Sequence, residues 1–371
     1  MKGSPKLKVS VITFLDGRNY GCSLQGYATQ EKFKELGCEF EFIHYSHLNS
    51  RGIKQLASWG KNNPIKMAVL LPSLLRQTKI FDSFKKNYLK LSKDIYKSEE
   101  DFSGYTPDSD IYCTGSDQVW NSSLIQGIET PFYLSFLPQG VRKISFAASF
   151  GKERLSDEDV ERTKGYIEQY ECISVREDSG VKILKEQFGY PGAVQIIDPT
   201  LTLPPGFWRK HSAENKQKKP YILVYCLNKN TEFENYIKAL SQKIKIRLVR
   251  LCTRYDQLFW QGKSLIIPDV FEFITLIDNA DYVVTDSFHA TTFSMALNTE
   301  PICAFLGNYS GRLSSFLRVV ESEQRQIKDF HDFDVINRPV DFSRVNSILE
   351  RERKKASEFL KNIINKTEYS Q

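Results

Sequence analysis

Residues 282–294, Tyr-Val-Val-Thr-Asp-Ser-Phe-His-Ala-Thr-Thr-Phe-Ser, join an apolar run, a polar cluster and a histidine. The run is of strand type and stops at Asp286, and residues 290–297 read as a helix, so His289 falls at a strand-to-helix elbow. In open α/β sheets that edge is where ligands bind, because helix N-termini there favour anions. An imidazole titrates near neutral pH and suits proton transfer. The competing expectation is that Ser287 caps the helix and His289 packs beneath it.

Other strand ends carry polar groups. The segment Asp16-Gly-Arg-Asn-Tyr-Gly-Cys-Ser-Leu-Gln25 joins a first strand to a first helix, and its glycines allow close approach to a ligand. It lacks Gly-x-Gly-x-x-Gly, which argues against a nicotinamide cofactor. After another strand, Gly115 and Ser116 could offer N–H groups to an anion, with Asp117 accepting from a sugar hydroxyl or merely capping a turn. Arg176 follows Ile-Ser-Val directly, so a guanidinium would point from a strand end, either toward a ligand or into a surface ion pair with Glu177 or Asp178. Cys22 lies near a helix N-terminus but has no partner base in sequence.

The elements that must place these groups alternate between strand and helix. Strands are expected at 9–14, 39–43, 111–114, 132–137, 143–150, 172–175 and 194–197, and a helix over 22–36. Ser156 begins a further helix that runs to about Tyr170. Residues 199–220, with four prolines, have linker composition. A second α/β unit follows, with strands at 221–227, 246–251, 265–267, 282–284 and 302–305 and helices at 231–243, 270–280, 290–298 and 311–320. We therefore expect two Rossmann-like doubly wound domains facing a cleft, over residues 1–205 and 206–371. Residues 342–364 read as a terminal amphipathic helix in the second domain.

Composition narrows the function. The 371 residues are 41% hydrophobic and 26% charged, as in an ordinary globule. Seven widely spaced cysteines show neither a disulfide framework nor metal-ligand spacing, so a metal is not expected. The apolar stretch at 9–15 is too short for a signal peptide and no window matches a membrane span, so a cytoplasmic protein with reduced thiols is expected. The formal charge of +6 is unevenly spread. Between Arg51 and Lys93 ten Lys or Arg face one acid, Asp82, with Trp59, Phe81, Phe84 and Tyr88 interleaved. This basic insertion, residues 51–93, suits an anionic membrane surface, which implies peripheral attachment at the inner face of the cytoplasmic membrane, or else a pair of solvated helices packed on the domain. No recognition motif accompanies the charge, so nucleic acid is not an expected partner.

Six motifs in one order add a resemblance. Asn19-Tyr-Gly with Leu24-Gln-Gly-Tyr-Ala28, Gly115-Ser-Asp-Gln-Val-Trp-Asn121, Ser145-Phe-Ala-Ala-Ser-Phe-Gly151, Val175-Arg-Glu-Asp-Ser-Gly180, Asp198-Pro-Thr-Leu201 and Thr285-Asp-Ser-Phe-His289 resemble the polysaccharide pyruvyl transferases over about residues 8–320. Ala290 stands where that family has Gly, and Asp286 where it commonly has Asn. The resemblance implies a GT-B-like fold and transfer of the pyruvyl group of phosphoenolpyruvate to two hydroxyls of one sugar, in assembly of a capsule or other bacterial surface polysaccharide. The acceptor is then a sugar or lipid-linked oligosaccharide, and no cofactor is needed beyond phosphoenolpyruvate as donor substrate. Arg176 and Arg312 match cationic positions that would grip this donor, and His289 would shuttle the proton with Asp117. Asn19, Ser116, Ser149 and Ser287 would hold acceptor or phosphate. Other expectations for the same architecture are a nucleotide-sugar glycosyltransferase and a non-catalytic sugar-binding protein.

Overall fold

The computed structural model describes residues 6–46, 52–212, 214–217, 219–305 and 311–368. Its strands are β1 (Lys8–Ile12), β2 (Glu39–Tyr45), β3 (Leu91–Tyr96), β4 (Ile111–Thr114), β5 (Lys143–Ala148), β6 (Cys172–Val175), β7 (Val194–Gln195), β8 (Tyr221–Tyr225), β9 (Arg247–Cys252), β10 (Lys263–Ile266), β11 (Tyr282–Thr285), β12 (Glu300–Ala304) and β13 (Gln326–Ile327). The α-helices are α1 (Tyr20–Glu35), α2 (Ile53–Gly60), α3 (Pro64–Tyr88), α4 (Ser122–Ile125), α5 (Asp157–Ile167), α6 (Asp178–Glu186), α7 (Pro199–Thr202), α8 (Pro205–Arg209), α9 (Thr231–Ile244), α10 (Val270–Asp278), α11 (Phe288–Leu297), α12 (Gly311–Val319) and α13 (Phe342–Glu368).

The chain divides into two units, Met1–Asn49 with Lys85–Leu203 and Glu350–Gln371, and Ser50–Phe84 with Pro204–Leu349. In unit 1 the sheet order is β3-β2-β1-β4-β5-β6-β7, and in unit 2 it is β10-β9-β8-β11-β12-β13. Every pairing is parallel, as in doubly wound folds. The order reverses between β1 and β4 in one sheet and between β8 and β11 in the other. Parallel strands put all their C-terminal ends on one edge, so each unit gathers its strand-end loops there.

The strand residues explain this arrangement. Ile-Tyr-Cys-Thr of β4, Lys-Ile-Ser-Phe-Ala-Ala of β5 and Tyr-Ile-Leu-Val-Tyr of β8 are buried at every position. Such near-continuous apolar runs form when helices cover both faces of a parallel sheet. Each large apolar side chain so buried contributes roughly 1.5–3 kcal/mol. Tyr112, Trp120, Phe132 and Phe150 lie in a core cluster of unit 1, and Ile222, Val224, Tyr236 and Val284 in one of unit 2.

Four expectations are corrected. Residues 132–137 are not a strand: a 3-10 turn spans Thr130–Tyr133, and Leu134 has a φ of 56°, which no strand permits. The Phe132 carbonyl instead accepts from the Trp120 indole at 3.1 Å and the Thr114 hydroxyl at 2.9 Å. Residues 199–220 begin not as a linker but as α7 and α8, with Thr200, Leu201 and Trp208 buried and α7 packed on α1. Of the basic insertion only residues 85–93 stay with unit 1, and residues 51–84 group with unit 2 rather than the first domain. Their helix α3 is tied there by Gln77, which donates to the Thr253 carbonyl at 2.8 Å, and by Ser73, which accepts from Tyr255 N–H at 2.8 Å. The end of the terminal helix groups with unit 1, where Ala356, Leu360 and Ile363 are buried and Arg353 donates to the Leu201 carbonyl at 2.9 Å.

Candidate functional sites at the strand ends

In unit 1 the reversal of strand order places the β1–α1 and β4 loops side by side. Asn19 is the N-cap of α1, and its carbonyl oxygen accepts from Cys22 N–H at 2.8 Å. Its amide donates to the Cys22 sulfur at 3.0 Å, and the Cys22 thiol donates to Asp117 Oδ2 at 3.0 Å. A Cβ on Gly17 would lie 2.3 Å from that sulfur, so the glycine makes room for the chain's own thiol rather than for a ligand. Asp117 has a φ of 76°, and its Oδ1 accepts from Gln118 N–H at 2.8 Å. Its carboxylate is held and one-tenth exposed.

Arg176 anchors the next layer. Its guanidinium is only 2% exposed, which corrects the expectation of a group standing out of a strand end. Nη1 donates to Asp198 at 2.6 Å, with Asp117 at 3.8 Å and Glu177 at 4.0 Å. Burial pulls its pKa down, but Asp198, Asp117 and Glu177 outweigh that and hold it above the usual guanidinium value. Three carboxylates round one cation leave little attraction for an anionic ligand, so the local geometry makes Arg176 an organiser of the loops. Ser149 is likewise committed: it is fully buried and donates to Glu177 at 2.8 Å, beside Gly151 N–H at 3.1 Å. Ser116 is buried too, with its carbonyl accepting from Thr13 at 2.5 Å and its hydroxyl making no hydrogen bond among the described residues. Asp198 also accepts from Thr200 N–H at 2.9 Å and its hydroxyl at 2.7 Å.

Unit 2 is built differently at its reversal. Asp286 follows β11, and its carboxylate accepts from the N–H groups of Leu227 at 2.6 Å and Asn228 at 2.9 Å and from the Asn228 amide at 2.8 Å. It thus clasps the loop after β8. Burial raises its pKa, and these hydrogen bonds offset part of the shift. Ser287 is the N-cap of α11 and accepts from Ala290 N–H at 3.4 Å. It is buried, so it serves the helix rather than reaching a ligand. His289 is half-buried in the first turn of α11. Its ring stands edge-on to Phe288 at 5.2 Å, and the half-buried Arg312, from the first turn of α12, has its guanidinium 5.7 Å from the Phe288 ring. Phe288 therefore braces an imidazole and a cation at a helix N-terminus, an arrangement suited to an anion that must receive a proton.

The structure brings Asn19, Ser116, Asp117, Ser149 and Arg176 to one edge of unit 1, and Ser287, His289 and Arg312 to one edge of unit 2. Sequence reading did not identify Asp198 as the partner of Arg176, Glu177 as the acceptor of Ser149, or Phe288 as a brace. Only Asp198, in an Asp-Pro-Thr capping sequence, left a local signal.

Residues 19–304 match the family model described as polysaccharide pyruvyl transferase. No curated protein matches the chain. Among solved structures, a protein described as a UDP-N-acetylglucosamine 2-epimerase from Listeria monocytogenes is similar with a TM-score of 0.52 at 10% identity, over 93% of this chain and 91% of that one. S. aureus MnaA, solved with UDP, has a TM-score of 0.50 at 11% identity, over 95% and 91%. The glycosyltransferase SnogD from Streptomyces nogalater has a TM-score of 0.45 at 10% identity, over 95% of each chain. The likeness to the first two is one of fold: two parallel α/β units of the GT-B-like class.

Proposed function

The chain belongs to the polysaccharide pyruvyl transferase family, and from that premise we propose that it transfers the pyruvyl group of phosphoenolpyruvate to two hydroxyls of one sugar. The product is a cyclic ketal on a capsule or other surface polysaccharide, and the acceptor sugar is carried on a lipid. The observation that carries this reading is the Arg312–Phe288–His289 cluster at the N-terminus of α11. Phosphoenolpyruvate brings a phosphate and a carboxylate, which Arg312 and the helix terminus attract.

The reaction needs proton management at two stages. One sugar oxygen bonds to C2 of the enol while C3 gains a proton. The second oxygen then bonds to C2 as the C2–O bond to phosphate breaks. Of the two hydroxyl protons, one ends on the new methyl group and the other on inorganic phosphate. In this reading His289 carries a proton to C3, a role an imidazole suits because it titrates near neutral pH. In unit 1, Arg176, Asp198, Glu177 and Ser149 fix the strand-end loops that carry Asn19 and Asp117.

The test is phosphate release from phosphoenolpyruvate with short-chain lipid-linked galactose, glucose or N-acetylmannosamine, with product mass followed. An acceptor that gains the mass of pyruvate less one water, and no longer does so with His289→Ala, is the expected result. Binding of a nucleoside diphosphate with none of phosphoenolpyruvate would replace this reading with glycosyl transfer. Every activity surviving His289→Ala would point to a non-catalytic sugar-binding role.

A further inference from the structure

The α2–α3 hairpin turns an unusual face outward. Its inner side packs Leu56, Leu70 and Leu74 with Trp59 and Met67, and Ser73, Arg76 and Gln77 bond to the segments that follow β9 and β10. The outer side of α3 leaves Ile65 75%, Val69 61%, Leu71 42% and Leu75 61% exposed. Tyr255, held by Ser73, leads into Leu258 and Phe259, the latter 92% exposed. Lys61, Lys66 and Lys79 are exposed around this stripe and form no ion pair among the described residues.

From this surface we propose that unit 2 docks on an anionic lipid bilayer, with the outer face of α3 and Leu258–Phe259 as its contact. Aliphatic side chains on one arc of a helix enter the boundary between headgroups and acyl chains, and the surrounding lysines meet anionic lipid groups with their stems along the apolar surface. A water-facing helix would carry the reverse pattern. Among the described residues no helix is long and apolar enough to cross a membrane, and the buried inner side of α3 keeps the helix on the protein. Charge complementarity selects the lipid: residues 51–93 hold ten Lys or Arg against one acid. The contact borders the edge of the sheet that carries His289, because β9, β10 and β11 are parallel in one sheet. Docking therefore presents that edge at the bilayer surface, where a lipid-carried sugar lies. That purpose rests on the proposed acceptor, whereas the docking itself does not.

Co-sedimentation with vesicles of phosphatidylcholine plus phosphatidylglycerol, against phosphatidylcholine alone, tests the surface without any substrate. Binding to the anionic vesicles alone is expected, weakened by salt. It should fall roughly 100-fold in the triple variant Lys61→Gln/Lys66→Gln/Lys79→Gln and also fall in Val69→Glu/Phe259→Glu. All these residues are exposed, so circular dichroism should be unchanged. Equal binding to neutral vesicles, binding unaffected by the substitutions, or no binding would overturn the proposal. A wild-type dimer that becomes monomeric in Val69→Glu/Phe259→Glu by light scattering would assign the face to a second copy. Vesicle binding that fails while ketal transfer to a soluble acceptor persists would remove the docking surface and leave the enzymatic reading standing.

Discussion

Each sheet reverses its strand order beside an aspartate, and the two aspartates live in opposite surroundings. Asp117 of unit 1 sits in a closed circuit of charge, with Arg176 at 3.8 Å and the Cys22 thiol at 3.0 Å. Asp286 of unit 2 binds only neutral N–H groups of the loop after β8, and its neighbours on α11 and α12, His289 and Arg312, stay half-buried. One edge spends its ionic groups on holding loops in place. The other keeps an imidazole and a guanidinium half-buried against an aromatic brace. The two edges are built differently, although both have the same topology.

The contrast breaks most sharply at the arginines. Arg176→Ala leaves Asp198 and Glu177 buried without their cation and should cost about 3–5 kcal/mol, read as a lowered urea midpoint. Arg312→Ala should cost under about 1 kcal/mol of stability, the scale of its contact with Phe288, while raising the KM for phosphoenolpyruvate. Equal stability losses would erase the distinction between the two edges.

His289→Gln sharpens the chemical half, with turnover expected to fall about 100- to 10,000-fold and the urea midpoint nearly fixed. A fall in stability matching the loss of turnover would make His289 a core residue after all.

Asp286 offers a smaller, pH-dependent test. Its folded pKa is raised above the unfolded value, so its stabilising contribution is fully present below the unfolded pKa and is lost as pH rises through the folded one. Wild type should therefore gain stability relative to Asp286→Asn as pH falls from neutral into the carboxylate range. Parallel pH profiles for the two proteins would contradict the assignment. The smallest difference is between the caps. Asn19→Ala, losing a 2.8 Å bond to Cys22 N–H, should cost about 1 kcal/mol, and Ser287→Ala, with a 3.4 Å bond, about half of that. Thermal midpoints in the reverse order would place the tighter helix start in unit 2.

Much of this was legible in the chain because its causes are local. β4 and β6 begin and end where their apolar runs do, and Ser156 caps α5 as a serine before three acids should. The placement of Asn19, Asp117, Arg176 and His289 at strand ends also follows from runs that stop at polar residues. What stayed hidden depends on distant partners. Asp198 is 22 residues from Arg176, and Asp117 is 95 from Cys22, so no periodicity reports either bond. Residues 132–137 have strand-like composition, yet tertiary bonds to the Phe132 carbonyl and the left-handed Leu134 turned them into a knot of side-chain packing. The prolines at 199–205 suggested a linker, but proline also starts helices, and here it starts two.

The segment that completes unit 1 is also the last of it to be synthesised. Its first strand emerges at Lys8, but Arg353, Ala356 and Leu360 close it only after all of Pro204–Leu349 has been translated. At ordinary elongation rates the ribosome takes roughly 10 to 30 s over that stretch. For that interval the nascent sheet waits without its final cover, exposed to proteases and to its neighbours on the polysome. Nicking or shortening the chain near residue 350 would therefore damage the unit that contains the N-terminus, half a protein away in sequence.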